Sequence, residues 1–187
     1  MPSIPSIPHL TPCTDSDYDI ISSHLQRRVR GVVGVASRCV CGAPQVVATA
    51  PRLENGTPFP TTFYLTYPYL VKALSRLEAA KKMADYQAEL SKDLELSQRY
   101  YDAHTLYLRQ RQAVGTLVGL ENVEEIEFMS AGGMPNRVKC LHALVGHTLS
   151  SLPGVNPIGE RALADITPAW DDSQCWCGRD EPETIQL

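Results

Sequence analysis

No stretch of the sequence approaches the roughly 20 consecutive apolar residues of a membrane-spanning helix, and the N-terminus lacks the apolar core of a signal peptide. These absences predict a cytoplasmic chain that neither inserts into a membrane nor is exported. Positive charge is also in short supply. Seventeen Lys and Arg stand against 21 Asp and Glu, a formal charge of −4, so the electrostatic footprint of a nucleic-acid binder is missing. Arg27, Arg28 and Arg30 form the only compact basic run, read as a solvated patch beside a helix end, and Glu121, Glu124, Glu125 and Glu127 read as a solvated acidic stretch. There is no internal repeat of fold-defining length.

What is present is enough for one core. Of the 187 residues 43% are hydrophobic and 20% charged, which excludes wholesale disorder and gives little reason to expect a second domain. Residues 1–15 carry Pro2, Pro5, Pro8 and Pro12 among Ser and Thr. Proline fixes φ and removes a donor, so this segment predicts a flexible tail. Residues 16–165 read as a single domain, and 166–187 as an acidic C-terminal tail.

Within the domain, Ser16 with Asp17 and Asp19 predicts a helix start, with Ile20, Ile21, His24, Leu25 and Arg28 following at helical spacing. From Gly31 the texture changes to β-branched and aromatic residues: Val32, Val33 and Val35, then Val46 and Val47, then Phe63, Tyr64 and Leu65. Three strands of a small antiparallel sheet are expected, with Asn55-Gly56 as a turn. After Pro68, Leu70, Leu74 and Leu77 share a helical face. Met83, Tyr86 and Leu90 mark a second stretch, and Leu94 to about Gln112 a long helix. Pro135 at a first helical position predicts a helix bearing Leu141, Leu144, Val145 and Thr148, ended by Pro153-Gly154; beyond Pro157 the sequence reads as loop. The fold class is α+β, a small N-terminal antiparallel sheet of about three strands packed against several helices.

Three groups of residues could carry chemistry. Cys39-Val40-Cys41-Gly42 follows the first strand. Cysteines at i and i+2 of an extended segment project from one face about 6.6 Å apart at Cα, so both thiolates can reach one soft metal ion, zinc or iron. Two merely local cysteines give the same pattern. Gly132-Gly133 leads to Pro135, with Arg137 and Lys139 nearby, and free amides at a helix start beside two cations would suit a phosphate-like anion. An ordinary capped helix fits as well, and no Walker-type loop is present.

Cys140 is either a third ligand beside Cys39 and Cys41 or a thiol activated by the cations and helix start around it. In a continuous helix Cys140 and His142 lie about 200° apart, and Cys140 and His147 roughly 10.5 Å apart along the axis. Neither histidine is therefore expected to share an ion with Cys140, and a fourth ligand is unassigned. Cys175-Trp176-Cys177-Gly178 repeats the first motif, so two hooks closing a four-thiolate site is a further possibility. His104, with Tyr100, Tyr107 and Arg111, reads as helix packing or as a titratable patch.

The strings Arg30-Gly31-Val32-Val33-Gly34-Val35-Ala36, Arg38-Cys39-Val40-Cys41-Gly42, Thr57-Pro58-Phe59-Pro60 and Ser130-Ala131-Gly132-Gly133-Met134-Pro135-Asn136-Arg137-Val138-Lys139-Cys140-Leu141-His142 resemble the bacterial family called domain of unknown function 501. The likeness spans about residues 16–165 and includes His104, Tyr107 and Leu108; the proline-rich start and the Cys175 to Gly178 hook lie outside it. The resemblance assigns no residue a role and implies only an association with phosphate metabolism or cell division. Three readings follow. The first is a metal-thiolate protein with Cys39, Cys41 and Cys140 as ligands and an anion site at Gly132, Gly133, Arg137 and Lys139. The second is a non-catalytic module that binds a protein partner. The third is a thiol enzyme using Cys140 or a phosphoester hydrolase.

Overall fold

The computed structural model describes residues 6–120, 122–167 and 170–179; Pro2, Pro5, Glu121 and residues 180–187 of the features above lie outside them. The expected α+β architecture is observed. Strands β1 (Val32–Arg38), β2 (Pro44–Thr49) and β3 (Phe63–Leu65) form an antiparallel sheet in the order β1-β2-β3. Helices α1 (Asp15–Leu25), α2 (Pro68–Ala79), α3 (Lys82–Lys92), α4 (Leu94–Leu117), α5 (Leu141–Leu149) and α6 (Pro157–Asp165) surround it.

All six residues of the middle strand, β2, are buried, because both faces of the sheet are covered. Val46 and Ala48 point into the main core with Phe63 and Leu65, while Val47 points to the opposite side and meets Ile21 and Val29. This alternation follows from the two-residue period of a strand. Register pairs Val46 with Leu65 and Ala48 with Phe63. Irregularities between Val32 and Gly34 and again around Ser37 bend β1, so that Arg38 still pairs with Pro44 at the turn that follows.

Several boundaries differ from the sequence reading, each for a local reason. Helix α1 is capped by Thr14, not Ser16: the Thr14 hydroxyl accepts from the Asp17 amide, and the Asp17 carboxylate accepts from the Thr14 amide at 2.9 Å. It ends at Leu25, where Gln26 turns left-handed (φ 51°). Residues 6–14, expected as part of a tail, lie against the domain: Ile7 is in the core, and Thr11 exchanges backbone bonds with Val35 at 2.9 Å each way. Pro135 does not begin a helix. The Met134-Pro135 bond is cis, residues 132–136 form turns, 137–140 are irregular, and α5 begins only at Leu141. Helix α6 stands where loop was expected; Asn156 caps the Gly159 amide at 3.0 Å and Pro157 occupies the first turn, a start signal visible in the sequence.

The buried polar groups are largely matched. His147 accepts at Nδ1 from the Asn156 amide (3.2 Å) and donates from Nε2 to the Gln110 oxygen (2.9 Å), while its ring stacks on Phe63. Arg111 is buried and donates to the carbonyls of Ile126, Glu127 and Met129. It thereby holds the chain after the short 3-10 turn Glu124–Ile126. Tyr100 donates to the Arg137 carbonyl, Tyr107 to that of Pro60, and His104 meets Ser130 at 2.8 Å, so this face of α4 serves packing.

Candidate metal centre

The sulfurs of Cys39, Cys41, Cys175 and Cys177 all lie within 4.8 Å of one another. Two C-x-C-G hooks meet here, with Cys41 and Cys177 separated by 136 positions in sequence yet 3.4 Å apart at sulfur. That distance is far too long for a disulfide bond, about 2.05 Å. A tetrahedral zinc ion with Zn–S bonds of about 2.3 Å spaces its sulfurs roughly 3.8 Å apart, so the four-sulfur cage has the right size.

The first hook is built from the sheet and clamped by α1. After β1 the chain turns tightly, with Gly42 donating to the Cys39 carbonyl at 2.7 Å and Cys39 to the Ala43 carbonyl at 2.9 Å. Gly42 has φ 90° and Gly178 of the second hook φ 75°, a region that L side chains rarely enter; the third residue after each leading cysteine is glycine for that reason. Arg38 fixes the turn from outside. Its guanidinium forks onto both Asp17 oxygens at 2.7 and 2.9 Å and also donates to the Gly42 carbonyl at 2.9 Å. The Arg38 pair is the largest cause holding the Asp17 carboxyl well below the usual carboxylate range.

The second hook is placed by a tryptophan and an aspartate. Trp176 is buried against Tyr69, with ring centroids 4.9 Å apart, and its indole donates to the Asp171 carbonyl at 2.8 Å. The Asp171 carboxylate accepts from the Ser173 amide at 2.9 Å and the Gln174 side chain at 3.0 Å, organising the approach to Cys175. Arg179 lies over the outer face of the Trp176 ring, 4.2 Å from its centre. The C-x-C-G hook of the segment expected to be an acidic tail is thus seated on the domain, where its cysteines could hold a metal.

Beneath the four sulfurs sits Tyr67, fully buried at the N-cap of α2. Its hydroxyl is 3.5 Å from Cys39 Sγ and 3.4 Å from Cys177 Sγ, and it accepts from the Trp176 amide at 3.1 Å. The two hooks repeat one another electrostatically: the Cys41 amide favours the Cys39 thiolate, and the Cys177 amide the Cys175 thiolate. Burial raises the Cys39 thiol, but bonds from the Cys41 amide, the Tyr67 hydroxyl, the Cys41 side chain and the Trp176 amide bring it down to about 7. Cys177 is pushed up to about 12 by burial and by its sulfur neighbours. Once one of these close-set thiols has ionised, repulsion keeps the others neutral unless a cation joins them. Cys39 is buried whereas Cys41 and Cys177 are exposed, so the cage opens outward.

Cys140 stands apart from this cage, with Glu78 and His142. As the N-cap of α5 it is extended (φ −153°, ψ 108°), so the helical angle that separated it from His142 in the sequence reading does not apply. Its sulfur lies 4.0 Å from His142 Nδ1, and that nitrogen lies 3.1 Å from Glu78 Oε1. Nε2 donates to the Val71 carbonyl at 3.1 Å. Glu78 also accepts from the Leu141 amide at 2.7 Å, occupying the start of α5 with a carboxylate. In the glycine turn, the Met134, Arg137 and Lys139 amides bond to the carbonyls of Ala131, Gly133 and Gly132. Gly132, Gly133, Arg137 and Lys139 therefore form a self-bonded loop in which these three amides are already engaged.

Fold and site together define a small α+β domain on which two cysteine hooks meet in a cluster that could bind a metal. The chain belongs to the DUF501 family, described as proteins of unknown function, whose model matches residues 35–164. Cys39 and Cys41 lie within the matched residues, and Cys175 and Cys177 beyond them. No curated protein and no solved structure matches the chain.

Proposed function

We propose that the chain is a metal-stapled scaffold in which Cys39, Cys41, Cys175 and Cys177 hold one zinc ion as four thiolates, fastening the C-terminal segment to the turn after β1. The observation that carries this reading is the convergence of four sulfurs from two like hooks, all within 4.8 Å. An all-thiolate tetrahedral donor set suits zinc or iron, and a closed set of four protein ligands is the pattern of a structural site, with no position left for a substrate. The Tyr67 hydroxyl, touching Cys39 and Cys177, supplies an outer contact of the kind that orients such ligands.

Elemental analysis of protein purified without chelator tests it. About one zinc per chain is expected, falling to near zero in a Cys175→Ser, Cys177→Ser variant, while Cys140→Ser keeps the full amount. Iron in place of zinc would colour the protein. Absence of stoichiometric metal, or metal retained when both hook cysteines of the C-terminal segment are gone, contradicts the proposal.

A further inference from the structure

We propose that Cys140, His142 and Glu78 form a second, independent centre, a reactive thiolate that exchanges with disulfides. The three side chains converge from two helices. Glu78 closes α2, while Cys140 and His142 begin α5. Both imidazole nitrogens face acceptors: Nε2 the Val71 carbonyl at 3.1 Å, Nδ1 the Glu78 carboxylate at 3.1 Å and the Cys140 sulfur at 4.0 Å. A ring with acceptors at both ends carries both protons, and so is a cation. That cation faces a thiol at the amino end of a helix, where the Ala143 amide also favours the thiolate.

The electrostatics agree with the geometry. Burial works against charge on both groups, yet the contact with Cys140, the Glu78 carboxylate and the Val71 carbonyl bring His142 up to about 9. Burial likewise raises Cys140, and the bond from His142 and the Ala143 amide outweigh it, leaving the thiol below its ordinary value. In its doubly protonated form His142 presents no lone pair to a metal, which distinguishes this trio from the four-cysteine cage. Cys140 is only half-buried, so a small reagent can reach it.

The chemistry is thiol–disulfide exchange with a low-molecular-weight disulfide RSSR. The Cys140 thiolate attacks one sulfur, a Cys140–S bond forms and the S–S bond breaks. The departing thiolate takes the His142 Nδ1 proton and leaves as RSH. The disulfide is reduced as Cys140 is oxidised to a mixed disulfide.

Cys13 supplies an internal comparison: it is also half-buried, but burial and the nearby Asp17 push its thiol up to about 11. Full-length protein is treated at pH 7 with limiting iodoacetamide, and separately with oxidised glutathione, and each cysteine is followed by peptide mass spectrometry. Cys140 is expected to react roughly tenfold or more faster than Cys13 and to carry the glutathione adduct. His142→Gln should slow Cys140 by about tenfold with Cys13 unchanged. Glu78→Gln, which keeps an acceptor for the Leu141 amide, should move the pH profile of Cys140 alkylation while leaving the circular dichroism spectrum as it was. Equal rates at Cys140 and Cys13, or a Cys140 rate and profile indifferent to both folded variants, overturn the proposal. Because each cysteine is scored separately, this result is independent of whether the hook cysteines hold metal.

Discussion

Tyr67 shows how much a single side chain contributes at the residue scale. One buried hydroxyl touches a sulfur from each hook and receives the Trp176 amide, so it links sheet side and tail side before any ion is bound. Replacing it by phenylalanine preserves the ring and removes those three contacts. The Tyr67→Phe variant should fold and should bind zinc about 10-fold more weakly, as loss of an outer-shell hydrogen bond does elsewhere; competition with a chromogenic chelator measures it, and unchanged affinity would show the hydroxyl to be a bystander. Nothing in the sequence singled this tyrosine out. It stands before Pro68 among ordinary apolar neighbours, and only the folded chain brings it under two distant cysteines. Arg38 is equally silent in the sequence, because its partner Asp17 lies 21 positions away and reads as a helix-start residue.

At the scale of the element, α5 carries two histidines with opposite titration. His147 is fully buried, and burial lowers it to about 3. It folds neutral, while the unfolded chain takes up a proton near pH 6.5, so its contribution to stability is lost as pH falls from about 6.5 towards 3. His142 is raised to about 9, so its contribution is full below about pH 6.5 and lost as pH rises through 9. His147→Gln should cost about 2 to 4 kcal/mol at neutral pH, since it breaks the Gln110 and Asn156 bonds and the stack on Phe63. Urea unfolding should show the gap between the variant and the parent narrowing as pH drops from 6.5 to 4. A gap that stays constant would mean that the ring is charged in the folded protein. Helical spacing located most of this helix in the sequence, but its start was misplaced by six residues. Pro135 resembles a first-turn proline, and only tertiary contacts, the Glu78 carboxylate on Leu141 and the Gln87 side chain on Val138, show that the chain is still turning there. That shift is what makes Cys140 and His142 neighbours.

At the scale of the whole molecule, the described segments 6–14 and 170–179 both pack back onto the domain. The sheet and the helices up to α5, though not α6, were legible from strand composition and apolar periodicity, which are local signals. The partners of Cys39 and Cys41 were not decided by such signals: the sequence offered either Cys140 or the repeated C-x-C-G hook, and packing alone brings the hook home. Trp176 wedged beside Tyr69 and Ile7 within the core draw both terminal segments onto the domain, and among the described residues no helix is long and apolar enough to cross a membrane. A family match ending at residue 164 leaves Cys175 and Cys177 outside it, so the central claim concerns a site that the shared segment supplies only by half. X-ray absorption at the zinc edge of the purified full chain addresses it most directly. Four sulfur neighbours at about 2.3 Å and no nitrogen or oxygen in the first coordination shell are predicted. A shell containing only two sulfurs, or one completed by a histidine nitrogen, would contradict the joining of the two hooks around one ion.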